Sequence, residues 1–123
     1  MVSHPSLCLL AGPCPYCYTR GPGYYKGGLD GWAPAGATFV NGGPCEGSLL
    51  FTGLRGQALY RAVLDPSDPR KIVEFEEWFQ GRFGRLRDVA EGPDGALYLL
   101  TSNRDGRGTP APDDDRVLRV LVR

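Results

Sequence analysis

The sequence has neither a net charge nor a long apolar run. Its 14 Lys and Arg residues balance its 14 Asp and Glu residues, so no overall electrostatic field attracts the chain to nucleic acid or to an anionic membrane. No segment approaches the roughly 18 consecutive apolar residues that a membrane-spanning helix needs. We therefore expect no nucleic-acid partner and no membrane span.

We expect no intact export signal in the N-terminal segment, which also shows no periodic pattern. No Lys or Arg precedes its apolar patch at 7–12, and the patch is shorter than the roughly 7–15 residues that the apolar part of a signal peptide contains. Residues 1–30 hold three of the four cysteines and the single histidine, His4, without a period of 2 or 3.6 in their apolar residues. We expect an irregular leader rich in Gly, Pro and Cys, to which no domain is assigned.

The cysteines leave three states open. Cys14 and Cys17 have the spacing of one half of a structural zinc site, but such a site usually takes two pairs of this kind. Cys8, Cys45 and His4 are the remaining possible ligands. Zinc is the least favoured state, a disulfide is slightly more favoured, and free thiols in the leader are favoured most.

Beyond the leader, short apolar segments alternate with turns. The chain contains 18 glycines and 11 prolines, and they separate segments of strand length, which is typical of an all-β protein. The predicted strands are 36–40, 48–54, 58–64 and 71–79 in one antiparallel meander, followed by 85–90, 96–101 and 116–122. A short helix is the alternative for 71–80, where the alternation of apolar and polar residues does not decide, and we take the strand.

The two sets of strands resemble copies of one unit. "LLFT" at 49–52 and "YLLT" at 98–101 lie 49 residues apart, and a four-stranded repeat of about 40–50 residues is typical of a propeller blade. We predict an all-β fold for 31–123, namely a β-propeller fragment with one four-stranded blade and about three strands of a second. Because each blade packs on two neighbours, the fragment would need the missing blades or self-association to cover its faces.

Arginines cluster where the second set of strands begins. Arg85 and Arg87 are two positions apart in a predicted strand, so they point to the same face. Guanidiniums side by side suit a carboxylate, since each offers paired N–H donors. Arg55, at the end of an earlier strand, would join them around one polyanionic ligand. The alternative is that these arginines cap a sheet edge, pair with Asp88 or Asp94, or only keep the edge soluble.

Two acidic clusters are predicted to be solvated. Glu76 and Glu77 are adjacent in a predicted strand and therefore point to opposite faces, so an exposed sheet edge is favoured over a carboxylate site. The three aspartates at 113–115 lack the spacing of a calcium-binding loop, and a solvated loop is the favoured interpretation.

Two segments carry a family resemblance that extends over about 33–123. "GLRGQALYR" (53–61) and "GRLRDVAEGPDGALYLLT" (84–101) resemble the C-terminal part of the glucose/sorbosone dehydrogenase family, the quinoprotein aldose sugar dehydrogenases. The resemblance implies a six-bladed propeller that binds pyrroloquinoline quinone over its central channel and oxidises the anomeric hydroxyl of a sugar. Such proteins are periplasmic or extracellular, which leaves the location of this chain open.

The resemblance also assigns residues. Arg85 and Arg87 match the two arginines of the family's R-x-R-D-V motif, which contact the cofactor, and Arg55 matches a basic cofactor contact of the preceding blade. The family's general base is a histidine of an early blade, and its calcium ligands lie on the blades after that; here the sequence has only His4. We therefore expect three cofactor-binding residues but no catalytic residue and no metal ligand in this chain.

The functional prediction follows from these matches and departures. The chain is expected to be the C-terminal portion of a quinoprotein sugar dehydrogenase and to supply part of the cofactor-binding wall. A sugar would be the substrate of the complete protein. Two alternatives remain open, a noncatalytic β-propeller interaction module and a truncated, inactive gene product.

Overall fold

A computed structural model describes residues 2–4, 17–20 and 31–122, and every regular element in these ranges is a β-strand. The strands are β1 (Val2–His4), β2 (Cys17–Arg20), β3 (Pro34–Phe39), β4 (Leu49–Gly53), β5 (Ala58–Leu64), β6 (Ile72–Trp78), β7 (Leu86–Glu91), β8 (Leu97–Thr101) and β9 (Val117–Val122). The all-β prediction is confirmed, and the helical alternative at 71–80 is wrong. In the described part of the chain, no helix is long and apolar enough to cross a membrane.

The first sheet contains the predicted four-stranded meander. Its strand order is β2-β6-β5-β4-β3, and all neighbouring strands are antiparallel. The turn between β5 and β6 forms because the Asp65 side chain accepts hydrogen bonds from the backbone N–H and the hydroxyl of Ser67, at 2.9 and 2.7 Å. Such side-chain caps are the usual reason that Asp and Ser begin turns.

The second sheet contains the three predicted strands of the next blade. Its order is β1-β9-β8-β7; β7 and β9 run antiparallel to β8, while β1 runs parallel to β9. The "GPDG" turn joins β7 to β8 through a hydrogen bond of 2.8 Å from the Gly92 N–H to the Ala96 carbonyl. The two sheets therefore match the predicted fragment of a β-propeller, with one strand added to each.

Both added strands come from the segment for which no structure was expected. β1 and β2 lie within 1–30, so the prediction of an irregular leader is wrong at 2–4 and 17–20. Each short strand gains its hydrogen bonds from the edge of a sheet that is already formed, and such pairing needs no periodic pattern of its own. The other leader residues lie outside the described ranges.

The hydrophobic core lies between the two sheets. Because side chains alternate along a strand, one face of each sheet can be apolar throughout, and β7 lies against β3 and β4. The buried residues that share this core come from both sheets: Leu50, Leu59 and Trp78 from the first, and Leu86, Val89, Leu97, Leu99, Leu118 and Val120 from the second. The two predicted blades thus bury one face of each against the other.

The opposite face of the first sheet carries an aromatic cluster. Phe51 and Tyr60 stack with ring centroids 5.0 Å apart, and Trp32 stacks on Tyr60 at 4.7 Å and on Phe75 at 5.4 Å. Phe51 and Tyr60 point away from the core because they alternate with Leu50 and Leu59 along their strands. These rings bury one another on the face that a preceding blade would cover.

The acidic pair of β6 is not at a solvated edge. Glu76 and Glu77 are both buried because β6 is an interior strand, with β2 on one side and β5 on the other. The Glu76 carboxylate pairs with Arg61 at 3.1 Å and accepts a hydrogen bond of 2.7 Å from the Trp78 indole N–H. The prediction of an exposed pair is therefore wrong, since it treated β6 as an edge strand.

Chain direction brings three connections to one end of the sheets. β4, β6 and β8 all finish at this end, so the turn 54–57, the segment 79–85 and the loop 102–116 meet there; we call it the arginine end. Hydrogen bonds of 2.9 Å join them, from Gly81 N–H to the Gln57 carbonyl and from Ser102 N–H to the Arg85 carbonyl. All three predicted cofactor residues lie in or next to these connections.

Candidate functional site

The start of β7 brings Arg85 and Arg87 together. Leu86, between them, is fully buried in the core, so its neighbours on either side point away from the core. Leu86 pairs with Thr101 and Asp88 pairs with Leu100, which makes Arg87 the extra residue of a β-bulge. Bulges re-aim side chains at the ends of strands, and here both guanidiniums reach the same carboxylate. We call Arg85 and Arg87 the arginine pair.

That carboxylate belongs to Asp105 of the loop 102–116. Its Oδ2 accepts hydrogen bonds from Arg85 Nη2 at 3.0 Å and from Arg85 Nε at 3.3 Å. The same oxygen lies 3.4 Å from Arg87 Nη2 and accepts a bond of 3.3 Å from the Ser102 hydroxyl. One carboxylate oxygen therefore holds two cations side by side.

The two guanidiniums differ in how deeply they are buried. The Arg85 side chain is 12% exposed and also donates from Nε to the Ser102 carbonyl at 3.3 Å. The Arg87 side chain is 49% exposed and donates from Nη2 to the Ser102 hydroxyl at 3.1 Å. Arg85 is thus a fixed part of the wall, whereas Arg87 presents half of its surface to solvent.

Asn103 fixes the backbone from which Arg85 projects. Its Oδ1 accepts a hydrogen bond of 2.8 Å from the Arg85 N–H, and its Nδ2 donates to the Phe83 carbonyl at 2.8 Å. Gly84, between those two residues, has a φ of 75° and lies so close to the Asn103 side chain that a Cβ would collide with it. A glycine is therefore required where the chain enters β7.

Two aspartates anchor the loop 102–116, contrary to the prediction that they are solvated. The Asp114 side chain is 2% exposed and accepts hydrogen bonds from Ala111 N–H at 2.7 Å and from Asn103 Nδ2 at 3.0 Å. Asp115 accepts one of 2.6 Å from the Asn103 N–H. Asp113, at 69% exposed, fits the prediction. The short polar side chains fold back on their own loop, which the sequence pattern does not indicate.

Hydrogen bonds favour the ionised form of Asp105 and Asp114. The backbone N–H of Arg107 and the Arg85 guanidinium hold the pKa of the Asp105 carboxyl below its ordinary value, while burial opposes them. The Ala111 N–H and the Asn103 side chain lower the pKa of Asp114 in the same way. Both carboxylates are therefore ionised at neutral pH, and the arginine pair with Asp105 carries a net charge of about +1.

Arg55 lies at the same end but apart from the arginine pair. It occupies the exposed turn between β4 and β5, which is fixed by hydrogen bonds of 3.0 Å from Gly56 N–H to the Trp32 carbonyl and of 3.1 Å from Gln80 Nε2 to the Gly56 carbonyl. Among the described residues Arg55 makes no ion pair. The structure thus brings two of the three predicted residues together and leaves the third exposed nearby.

A polar cavity of about 310 Å³ lies at the arginine end, with Gly84 and Asn103 in its wall. Arg82, Arg107 and Arg116 contribute to its wall, and the guanidiniums of Arg82 and Arg116 lie 5.2 and 5.6 Å from the centre of the Phe83 ring. Arg82 therefore belongs to this cavity and its aromatic contact.

The sequence pattern of one protein family matches most of the chain. The glucose/sorbosone dehydrogenase family matches residues 22–119. The chain belongs to this family. The resemblance drawn from "GLRGQALYR" and "GRLRDVAEGPDGALYLLT" is thereby confirmed. A search of curated proteins gave no match.

Solved structures place the fold in the glucose/sorbosone dehydrogenase family as well. An oxidoreductase described as a glucose dehydrogenase, from Thermus thermophilus, is 50% identical with a TM-score of 0.61, over 72% of this chain and 25% of that chain. The PQQ-bound aldose sugar dehydrogenase of Streptomyces coelicolor is 37% identical with a TM-score of 0.60, over 73% and 25%. A further glucose dehydrogenase is 32% identical with a TM-score of 0.59, over 73% and 23%. The chain spans about a quarter of the length of these relatives.

The donors at the arginine end fit the carboxylates of the quinone that this family uses. Pyrroloquinoline quinone carries three carboxylates, and Arg is suited to such groups because its planar, permanently charged head donates in pairs. Here a carboxylate oxygen, that of Asp105, already lies between two guanidiniums within hydrogen-bonding distance. The side chains present therefore match the chemistry of the cofactor's acid groups.

His4 does not lie at the arginine end. The register pairs His4 with Val122, the last residue of β9, and β9 ends opposite the arginine end. In the ranges that the structure describes, no three His, Cys, Asp or Glu side chains gather as they would around a metal ion. Cys45 is buried and disulfide-bonded, so the disulfide is the state of this cysteine. The side chains of the other cysteines lie outside the described residues.

Sequence reasoning missed the anion between the arginines. Asp88 and Asp94 were named as partners only in the alternative interpretation; Asp88 accepts from the Val89 N–H at 2.8 Å, and Asp94 pairs with Arg119 at 2.8 Å. The actual partner, Asp105, lies 20 positions after Arg85, in a loop without a period. The "RDG" sequence at 104–106 indicates a turn but not where its carboxylate points.

Proposed function

We propose that this chain forms part of the cofactor-binding wall of a pyrroloquinoline quinone-dependent sugar dehydrogenase. Arg85 and Arg87, supported by Arg55, would hold the carboxylates of the quinone. The observation that carries the proposal is that Arg85 and Arg87 converge on one carboxylate oxygen at 3.0 and 3.4 Å. Family membership and the PQQ-bound relative support this choice of ligand.

The residues of the chain contribute binding and orientation. When bound, the quinone supplies the two-electron acceptor for oxidation of the sugar hydroxyl. The buried Arg85 fixes one positive charge in the wall, and the half-exposed Arg87 offers donors to a ligand that approaches from solvent. Arg55, in an exposed turn, adds a third positive charge at the same end. Net positive charge of this kind favours an anionic cofactor over a neutral one.

Proton abstraction is assigned to a part of the complete enzyme that this chain does not supply. A general base must lie within hydrogen-bonding reach of the hydroxyl that it deprotonates. His4, the one histidine, pairs in β1 at the opposite end of the second sheet. We propose that the calcium ligands of the family also lie outside this chain.

Titration with pyrroloquinoline quinone tests the binding role. Alanine substitution of Arg85 or Arg87 should weaken binding roughly ten- to hundredfold, as expected for loss of a charge-assisted hydrogen bond from a partly desolvated site. Lysine at either position should recover part of the loss, because an ammonium cannot make the bidentate contact. The measurement is absorbance or calorimetric titration of the chain, with folding checked by circular dichroism.

Arg82→Ala is the matched control, because Arg82 is a neighbouring guanidinium that lies on the polar cavity instead. It should change quinone affinity by less than about twofold. Equal affinity of wild type and the Arg85/Arg87 double variant would contradict the proposal. A folded chain without quinone affinity would favour the noncatalytic interaction module.

A dye-reduction assay with aldose sugars tests whether this chain alone oxidises a sugar. We expect no turnover from this chain with added quinone and calcium, because the family's histidine base has no counterpart at the arginine end among the described residues. Turnover that survives His4→Ala would show that a base has been overlooked.

A further inference from the structure

We infer that Asp105 is a positioning residue for the cofactor: its carboxylate holds the arginine pair so that the remaining donors of both guanidiniums face a second carboxylate. This inference rests on the proposed function. Neither the family match nor the R-x-R-D-V motif assigns a role to Asp105, which lies in the loop after β8.

The two carboxylate oxygens of Asp105 have separate tasks. Oδ2 accepts hydrogen bonds from both arginines and from the Ser102 hydroxyl. Oδ1 accepts a hydrogen bond of 2.9 Å from the Arg107 N–H. The backbone bond fixes the orientation of the carboxylate, so that Oδ2 faces the arginine pair. Asp105 therefore reaches the site already oriented.

Asp105 is held by a loop that is itself anchored. Asn103 donates from its backbone N–H to Asp115 at 2.6 Å and from Nδ2 to Asp114 at 3.0 Å. On the same stretch, the Arg104 guanidinium donates from Nε to the Asp114 carbonyl at 2.6 Å. These bonds fix the two residues that precede Asp105 and so limit its movement, which a residue that positions others requires.

The hydrogen bonds of the arginine pair leave donors for a ligand. Each guanidinium has five N–H groups. Within the described residues, Arg85 uses Nε and Nη2, and Arg87 uses Nη2. Nη1 of each remains for another acceptor, so Asp105 can stay in place while a cofactor carboxylate binds the same pair.

Electrostatics alone makes the opposite prediction about Asp105. Two guanidiniums repel each other, and Asp105 offsets that repulsion, but it also lowers the positive charge that attracts an anion. If attraction by net charge dominated, Asp105→Asn would strengthen quinone binding. If positioning dominates, as inferred here, the same substitution weakens it, because the arginine pair loses the anion that holds it together.

The experiment compares quinone titrations of wild type, Asp105→Asn and Asp113→Asn. Asp105→Asn should weaken binding by about tenfold or more, the scale of one charge-assisted hydrogen bond. Asp113→Asn removes the same charge from the same loop at a side chain that is 69% exposed, and it should change affinity by less than about twofold. Equal or tighter binding by Asp105→Asn would overturn the inference.

A second measurement is independent of the cofactor and of any variant. In the wild-type chain, the Nε–H of Arg85 should exchange slowly with solvent in NMR spectra, because it donates to Asp105 and to the Ser102 carbonyl. Fast exchange would overturn the inference even if Asp105→Asn fails to fold. Slow exchange in a chain that does not bind quinone would contradict the proposed function while supporting the positioning by Asp105.

Discussion

The arginine–carboxylate group inside the first sheet and the one at the arginine end differ in how their donors are used. Arg61 and Glu76 lie in the first sheet, are both buried, and pair at 3.1 Å. The Ser48 hydroxyl oxygen accepts a hydrogen bond of 2.9 Å from the Arg61 Nε–H, and the Trp78 indole N–H donates to the second carboxylate oxygen of Glu76. These partners all belong to the folded interior of the protein.

The group at the arginine end has the same chemistry in an open setting. Arg87 is half exposed, Asp105 is 21% exposed, and the two guanidiniums retain donors that no described residue uses. A buried, mutually satisfied ion pair serves the fold, because a ligand would have to displace protein partners. A half-open pair of cations with one shared anion is suited to binding. The difference in accessible donors, not the residue types, distinguishes the two groups.

Glu76→Ala should have the largest effect on stability. It leaves the buried Arg61 charge and the Trp78 N–H without their acceptor, which costs about 3–5 kcal/mol in unfolding free energy. This should abolish cooperative urea unfolding followed by circular dichroism, because the described residues form one small core between two sheets. The double variant Arg61→Met/Glu76→Leu removes both charges and should retain more stability. A loss below about 1 kcal/mol in Glu76→Ala would remove the contrast between the closed and open groups.

Gly84→Ala should disturb the open group and leave the closed one intact. The added Cβ meets the Asn103 side chain at a φ of 75°, a strain that costs about 1–3 kcal/mol. Quinone affinity should fall with it, because Asn103 fixes the backbone of Arg85. Gly42→Ala, at a turn position with open space around the Cβ, is the control for urea unfolding and for titration. Equal behaviour of the two variants would show that this glycine does not position Arg85.

The smallest effect should appear in the pH dependence, with opposite signs for the two groups. The pKa of Asp105 is lowered from 3.8, chiefly by the Arg107 N–H, so its contribution to stability is present above 3.8 and is lost as the pH falls through its folded-state pKa. Burial raises the pKa of Glu76 from 4.5, while Arg61 opposes the shift. The contribution of Glu76 to stability is therefore present below pH 4.5 and is lost as the pH rises through its raised pKa.

Urea unfolding at a series of pH values checks both signs. The stability difference between wild type and Asp105→Asn should grow in favour of wild type as the pH rises from about 3 to 5. Relative to Glu76→Gln, wild type should lose unfolding free energy as the pH rises above about 4.5. Parallel curves for the two variants would contradict the assigned pKa directions.

Local patterns were sufficient to predict the strands and the pairing of the arginines. All seven predicted strands lie within two residues of their observed ends, because alternation and Gly-Pro turns are properties of short segments. The same period of 2 placed Arg85 and Arg87 on one side of Leu86, although a bulge completes their convergence. The six-bladed architecture and the cofactor role came from resemblance, and both stay predictions.

Long-range contacts account for what could not be predicted. Asp105 reaches the arginines through a loop whose conformation depends on Asp114 and Asp115, which bond across 11 or 12 positions. Glu76 is buried because a leader strand, β2, covers the free edge of β6. Neither contact leaves a periodic signal, since loops and short edge strands owe their structure to the partners that they meet.

The two tryptophans of the chain lie on opposite faces of the first sheet and have opposite hydrogen-bonding states. Trp78 is fully buried in the core and donates to Glu76 at 2.7 Å. Trp32 stacks within the aromatic cluster, and its buried indole N–H has no acceptor among the described residues. Fluorescence of a chain with Phe at one of these positions therefore reports on one face alone. Trp78 registers separation of the two sheets, and Trp32 registers whatever comes to cover the outer face.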